Sequence, residues 1–155
     1  MIALKSKNLN EQTISKSISF NGIGLHSGKK VNLRIEKAPV NNGIKFIRSD
    51  KKNNNFINAI WSNVTNTNLC TTISNQYNIS VSTIEHLMSA LSGLHIDNVN
   101  IYIDGPEVPI MDGSSKQFVE SLEANGIEIQ NQKRKIIKIK KEINVSNSNG
   151  SVKLS

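Results

Sequence analysis

The clearest helical pattern in the chain is Ser82-Thr83-Ile84-Glu85-His86-Leu87-Met88-Ser89-Ala90-Leu91-Ser92-Gly93-Leu94. Apolar side chains recur in it at helical spacing, at positions 84, 87, 88, 91 and 94. Ser82, followed three residues later by Glu85, has the form of a capping box, and Gly93 suits the far end. The segment therefore predicts an amphipathic helix beginning at Ser82, with Glu85 and His86 off its apolar stripe.

Alternating apolar and polar residues on both sides of this helix predict β-strands. The predicted strands cover residues 13–20, 31–35, 44–48, 56–61, 69–74 and 99–103. A second helix is predicted after Asp112-Gly113-Ser114-Ser115, with Phe118, Val119 and Leu122 on its apolar side. Several strands and two helices predict an α+β fold, a two-layer sandwich in which two helices pack on one face of a mixed β-sheet.

A domain boundary is predicted near residue 131, in the polar stretch Gln130-Asn131-Gln132. Residues 1–131 then form a first α+β domain. Residues 132–155 contain a new strand, predicted over 136–145, that would open a second domain.

Composition narrows the class of protein. The chain has 155 residues, 37% of them hydrophobic, and a single cysteine, Cys70, which excludes an intramolecular disulfide framework. No apolar run approaches the roughly 20 residues of a membrane helix, and Met1-Ile2-Ala3-Leu4-Lys5 lacks the features of a signal peptide. These observations predict a cytoplasmic protein without an integral membrane segment.

The net charge of +7 is concentrated near the end of the chain, where residues 133–155 hold seven basic side chains and one acidic side chain. The chain has 16 Lys and only 3 Arg, a bias typical of an AT-rich genome. A nucleic-acid surface favours Arg for bidentate contacts and aromatic rings for stacking. Nucleic-acid binding is therefore not predicted.

Glu85 and His86 are the most informative candidates for chemistry. They could be a general base beside a zinc ligand, since a carboxylate accepts protons and a neutral imidazole suits zinc. Alternatively, Glu85 caps its helix and His86 is a histidine on the polar face, and the dipeptide alone favours this interpretation. Position 90 is Ala90, so the helical zinc motif with two His four residues apart is absent.

Five separated motifs occur together in one order. They are GIGLHSGKKV at 22–31, LCTT at 69–72, STIEHLMSAL at 82–91, GLHIDN at 93–98 and PEVPIMDGS at 106–114. With this combination the chain closely resembles the UDP-3-O-acyl-N-acetylglucosamine deacetylases, zinc hydrolases of lipid A biosynthesis in Gram-negative bacteria. The resemblance extends from about Ile14 to the end of the chain.

The resemblance implies two similar α+β domains with the active site between them. It implies that His86 is a zinc ligand and that Glu85 is the general base that activates zinc-bound water. This water attacks the acetamide carbonyl of the sugar, and acetate leaves. Thr67 corresponds to a polar group near the metal, and Leu25 and His26 to the loop that borders the acyl and metal region. Asp112 corresponds to a structural position in the turn before the second helix.

The resemblance also implies that the site is incomplete here. The family's other two zinc ligands, a His and an Asp, and its catalytic His lie in the second domain, beyond Ser155. No His follows His95 in this chain. We therefore expect an N-terminal fragment that is inactive alone and has the missing C-terminal domain as its partner. The alternative is a non-catalytic paralogue or module that binds a sugar nucleotide or another partner.

Overall fold

The computed structural model describes residues 9–137 and 139–154. The predictions made for residues 1–5 and for Lys138 lie outside this range. The strands are β1 (Asn10–Ile14), β2 (Ile18–Ile23), β3 (Lys30–Lys37), β4 (Ile44–Arg48), β5 (Phe56–Asn58), β6 (Val64–Asn66), β7 (Thr72–Ser74), β8 (Ser80–Val81), β9 (Val99–Ile103), β10 (Ile127–Lys133), β11 (Ile143–Asn147) and β12 (Gly150–Leu154). The helices are α1 (Glu85–Gly93) and α2 (Lys116–Asn125), with a short 3₁₀ helix at Trp61–Asn63. None of the helices in the described part is long and apolar enough to cross a bilayer.

The central sheet has five strands in the order β2-β3-β9-β4-β5. It is mixed, because β4 and β9 are parallel and the other pairs are antiparallel. Leu33 of β3 lies opposite Ile103 of β9, and Ile35 lies opposite Ile101. All four side chains are buried, whereas Lys30, Asn32 and Arg34, which alternate with buried residues on β3, are exposed. Period-2 alternation thus gives the sheet one apolar and one polar face.

Both helices pack on the apolar face of this sheet, and their buried side chains belong to the same hydrophobic core. Leu87 and Leu91 of α1 and Phe118 and Leu122 of α2 are all fully buried. The ring of Phe118 contacts that of Phe20 on β2 edge to face, with centroids 4.9 Å apart. The predicted two-layer α+β sandwich is confirmed.

The strand predicted over residues 13–20 is two strands in the structure. β1 pairs with β10, whereas β2 pairs with β3 in the central sheet. The chain changes sheets at Ser15, whose N–H bonds to the carbonyl of Gly126. The prediction of one strand was wrong because Ile14, Ile18 and Phe20 share one side at period 2, although three consecutive polar residues, 15–17, separate the first from the other two.

Two other predicted strands are shorter than expected. Residues 56–61 form β5 only as far as Asn58, after which the 3₁₀ helix begins. Residues 69–74 form β7 only from Thr72, because Leu69 has a φ of 62° and bends the chain. β7 lies between two strands that the sequence analysis missed, β6 and β8, in a separate three-stranded sheet.

The polar stretch 130–132 is part of β10 and not a linker. The side chain of Gln130 donates to the carbonyl of Ala38 and accepts a hydrogen bond from Asn98. Beyond the strand, Arg134 forms a bidentate ion pair with Asp97. The predicted boundary at 131 therefore falls within a strand of the first domain, and the division into two domains stays a prediction.

The strand predicted over 136–145 begins only at Ile143. There β11 forms a hairpin with β12. In the described part of the chain, neither of these strands pairs with any other sheet.

Candidate active site

The start of α1 is not a capping box. The helix begins at Glu85, and Ile84 at the preceding position makes no side-chain capping bond. The hydroxyl of Ser82 donates to the carbonyl of Pro106, and Thr83 has a φ of 56°. The capping interpretation of Ser82 and Glu85 is therefore wrong, since both side chains bond elsewhere.

The Glu85 carboxylate bonds to a distant part of the chain. Its Oε1 accepts a hydrogen bond of 2.8 Å from the backbone N–H of Thr71. Its Oε2 is buried without a partner, and so is Nδ1 of the adjacent His86. These two are the only buried side-chain nitrogen or oxygen atoms without a hydrogen bond among the residues that the structure describes.

Unpaired buried polar atoms are costly, so two of them on adjacent residues indicate a place for a ligand. An imidazole nitrogen and a carboxylate oxygen are donors that zinc accepts, so the pair fits the metal that the resemblance implies. The described residues contain no group of three or more His, Cys, Asp or Glu that could hold a metal ion. Glu85 and His86 by themselves are two donors and not a complete ligand set.

The loop with Leu25 and His26 lies between β2 and β3. It closes through the N–H of Gly28, which donates to the carbonyl of Gly24, and Gly28 adopts a φ of 63°. The side chains of Leu25 and His26 are both exposed. We call residues 24–28 the His26 loop.

Glu107 connects the His26 loop to the start of α1. Only 2% of this residue is exposed. Its carboxylate accepts hydrogen bonds from the backbone N–H groups of His26 and Ser27 and from the hydroxyl of Thr83. Burial alone would raise the pKa of Glu107, but these bonds and one from the Ser27 hydroxyl hold that pKa below its usual value.

The sequence analysis did not single out Glu107 as a site residue. The available signal was a lone carboxylate in the otherwise uncharged segment Pro106-Glu107-Val108-Pro109-Ile110. A buried charge requires partners, but nothing in the local sequence indicates that these lie 24 residues away at Thr83 and 81 residues away at His26.

Comparison with known proteins identifies the family. The sequence model of LpxC, UDP-3-O-acyl N-acetylglycosamine deacetylase, matches residues 11–155. The chain belongs to this deacetylase family. The resemblance carried by the five motifs is thereby confirmed.

Curated relatives are named UDP-3-O-acyl-N-acetylglucosamine deacetylase. The chain is 47% identical over 135 residues to the one from Shewanella pealeana, an alignment that covers 87% of this chain and 44% of that protein. It is 43% identical over 147 residues to the one from Mannheimia succiniciproducens, with 95% and 48% covered. The chain thus spans slightly less than half the length of these deacetylases.

Thr67 and the deacetylase motif LCTT at 69–72 lie at the turn between β6 and β7, and Thr72 is the first residue of β7. Thr67 and Leu69 are exposed, and Leu69 is 92% accessible. Cys70 is partly buried, with its Sγ atom 3.8 Å from Oγ1 of Thr72. The Thr71 N–H ties this turn to Glu85. The structure records no contact between the side chains of Thr67 and Glu85.

Two other residues of the deacetylase motifs have structural contacts. The carboxylate of Asp112 accepts hydrogen bonds from the N–H and the hydroxyl of Ser114, in the turn that leads into α2. These bonds hold the pKa of Asp112 below its usual value. His95 follows the end of α1, is exposed and has a φ of 58°.

Proposed function

We propose that this chain carries one part of the active site of a zinc-dependent deacetylase. The reaction is hydrolysis of the N-acetyl group of UDP-3-O-acyl-N-acetylglucosamine, with release of acetate, in lipid A biosynthesis in the cytoplasm. The family supports the substrate class. The observation that carries the proposal is the Glu85 carboxylate, with one oxygen held by Thr71 and the other buried and unpaired next to His86.

Zinc, when bound, supplies a Lewis acid that lowers the pKa of water and polarises a carbonyl. His86 holds the ion through its ring. Glu85 accepts a proton from water at Oε2, while the Thr71 N–H keeps Oε1 occupied and the carboxylate plane fixed. As Glu85 takes this proton, the water oxygen adds to the acetamide carbon. The leaving nitrogen then receives a proton, from the catalytic His that the resemblance implies in the second domain, as the C–N bond breaks, and acetate and a free amine remain.

The exposed side chains of the His26 loop and of Thr67 are available to bind the substrate. We assign Leu25, which is 59% exposed, to the acyl region. His26 follows it in the same loop, and Glu107 ties this loop to the segment before α1. The resemblance assigns Thr67 to a polar group near the metal, and Thr67 lies in the same turn as Thr71, between β6 and β7.

A catalytic zinc site needs three protein ligands and an open position. The other ligands are those that the resemblance implies, a His and an Asp, which lie with the catalytic His in the second domain of these deacetylases. The described residues themselves contain no set of three metal-binding side chains. The 155-residue chain should then bind zinc weakly and have no deacetylase activity. The same observation favours the second candidate, a non-catalytic module that binds a sugar nucleotide or another partner.

Acetate release separates the two candidates. The chain is assayed alone at stoichiometric zinc, then with the C-terminal half of the Mannheimia succiniciproducens relative, added as a separate chain or fused after Ser155. Zinc-dependent activity only in the presence of the second half supports the proposed function. Binding of the sugar nucleotide without activity in either format supports the module. Hydrolysis by the chain alone would contradict the expected incompleteness.

A further inference from the structure

We propose that Glu107 is a positioning residue. Its buried carboxylate holds the His26 loop against the start of α1, and this keeps Glu85 on the Thr71 N–H. Glu107 forms no hydrogen bond with Glu85 or Thr71, so it acts through Thr83. The inference rests on the proposed function only in its last step, that this alignment serves catalysis.

Both oxygens of the Glu107 carboxylate accept hydrogen bonds, and the donors come from the His26 loop and from the segment before α1. Oε1 accepts from the N–H of His26 and from Oγ1 of Thr83, each at 2.9 Å, and Oε2 accepts from the N–H of Ser27 at 2.8 Å. Hydrogen bonds to a charged acceptor are stronger than neutral ones. The carboxylate therefore links the loop to the segment that precedes α1.

The surroundings of the Glu107 carboxylate leave it little freedom to move. A Cβ atom at Gly24 would clash with Oε2 of Glu107 and with the hydroxyl oxygen of Ser27. The backbone is also fixed, because the N–H of Ser82 donates to Pro106 and the N–H of Val108 donates to Ser82. These backbone hydrogen bonds hold Glu107 beside the segment before α1, with which its carboxylate also forms a hydrogen bond.

Thr83 has an unusual backbone conformation, with a φ of 56°. A positive φ is unusual for a β-branched residue and persists only where neighbouring contacts impose it. The bond from its hydroxyl to Glu107 is such a contact. Since α1 begins two residues later at Glu85, loss of this bond should let the start of the helix move. The Glu85–Thr71 bond then becomes sensitive to a residue that touches neither partner.

Hydrogen exchange of individual amides, measured by NMR on the 155-residue chain, tests this coupling. In Glu107→Gln, the amides of His26 and Ser27 should exchange roughly tenfold faster or more, because a charged acceptor is lost. The Thr71 amide should also exchange faster, although its own acceptor is intact. Thr83→Val retains the charge of Glu107 and both of its hydrogen bonds to the His26 loop. This variant should therefore accelerate exchange of the Thr71 amide while the amides of His26 and Ser27 stay protected.

Glu11→Gln is the matched control. Glu11 is 7% exposed, and its carboxylate accepts hydrogen bonds from the N–H of Asn41 and the side chain of Asn98, away from Glu85. It should lower the melting temperature without accelerating exchange at Thr71. Unchanged Thr71 exchange in both Glu107→Gln and Thr83→Val would overturn the proposal, as would equal acceleration in Glu11→Gln. If Glu107→Gln does not fold, exchange of the Thr71 amide in Thr83→Val decides whether the proposal holds.

Kinetics test the last step in the zinc-loaded fusion with the second half. Glu107→Gln should lower kcat by roughly tenfold or more, because small displacements of a reacting group are costly. Its effect should not add to that of Thr83→Val, whereas Glu11→Gln should leave kcat unchanged. An inactive unmodified fusion would count against the proposed function, and the exchange data alone would then decide on Glu107.

Discussion

The carboxylate of Glu85 accepts a hydrogen bond of 2.8 Å from the backbone N–H of Thr71. This bond joins the first residue of α1 to the residue that precedes β7. It fixes one carboxylate oxygen and leaves Oε2 as the atom on which a proton can be placed. It also means that Glu85 cannot be explained as a helix cap.

Glu85→Gln should lower kcat strongly without loss of stability. The amide oxygen of Gln can still accept the Thr71 hydrogen bond, so the thermal melt should change little. A general base typically contributes roughly 10²–10⁴-fold in rate, and kcat of the zinc-loaded fusion should fall within that range. The measurements are kcat on acylated UDP-N-acetylglucosamine, zinc content and a melting curve.

Glu120→Gln is the control for Glu85→Gln. Glu120 is an exposed residue of α2, 3.8 Å from Lys116, so the change removes a carboxylate that bonds neither Glu85 nor His86. It should leave kcat and zinc content unchanged. Near-normal kcat with normal zinc in Glu85→Gln would contradict the catalytic role.

His86→Ala should lower zinc occupancy as well as rate, because it deletes a proposed metal ligand. His95→Asn is its control, since Asn tolerates the positive φ of that exposed position. Elemental analysis of the fusion should show zinc loss only in His86→Ala. Full zinc content in that variant would contradict the assignment.

Much of the fold could be predicted because its main elements have a single buried face. Val31, Leu33 and Ile35 alternate with polar residues, as a strand with one face on a core requires. The alternation failed at the corner between Ile14 and Ile18, since hydrophobic period cannot show that a strand changes sheets. The alternation also failed to predict β10, because polar side chains of this strand form hydrogen bonds with distant loops.

The site was predictable to the extent that its chemistry lies in contiguous motifs. Glu85 and His86 were selected by the order of five motifs, and their catalytic and metal-binding roles stay predictions. Glu107 was not selected as a site residue, because its three partners come from two remote segments. Bonds between a side chain and a distant backbone amide leave no periodic pattern in the sequence.

Limited trypsin digestion should cut after Lys135, Lys140 or Lys141 and leave a resistant N-terminal piece. Up to Lys133 the chain is paired with β1, and Arg134 is bonded to Asp97. The described residues between Lys135 and Lys141 form no helix or strand, and unpaired backbone is the preferred site of nicking.

The ion pair should define where this resistant piece ends. Asp97→Asn removes the partner of Arg134, so it should shift cleavage toward residues 133 and 134. Mass spectrometry of the fragments measures this. Equal protection of residues 135–154 in the unmodified chain would contradict the prediction.

Acid should weaken the fold through the ion pair of Arg48 and Asp50. Arg48 is 6% exposed and donates two hydrogen bonds to the Asp50 carboxylate, at 2.8 and 2.7 Å, and a third to the carbonyl of Ser80. The side-chain bond from Arg48 holds the pKa of Asp50 below its usual value. A carboxyl with a lower pKa in the folded state stabilises that state above its unfolded pKa, about 4.

This contribution is lost as the pH falls below about 4 and through the folded-state pKa of Asp50. Asp50→Asn isolates this contribution and should cost about 1 kcal/mol at pH 7, because the buried Arg48 guanidinium loses a charged partner that is itself partly exposed to solvent. The difference in melting temperature between the unmodified chain and Asp50→Asn should be constant from pH 5 to 7 and shrink below pH 4. Glu36→Gln, which removes an exposed pair with Arg34, should cost less at pH 7. A difference for Asp50→Asn that stays constant at acid pH would show that the carboxylate charge does not contribute to stability.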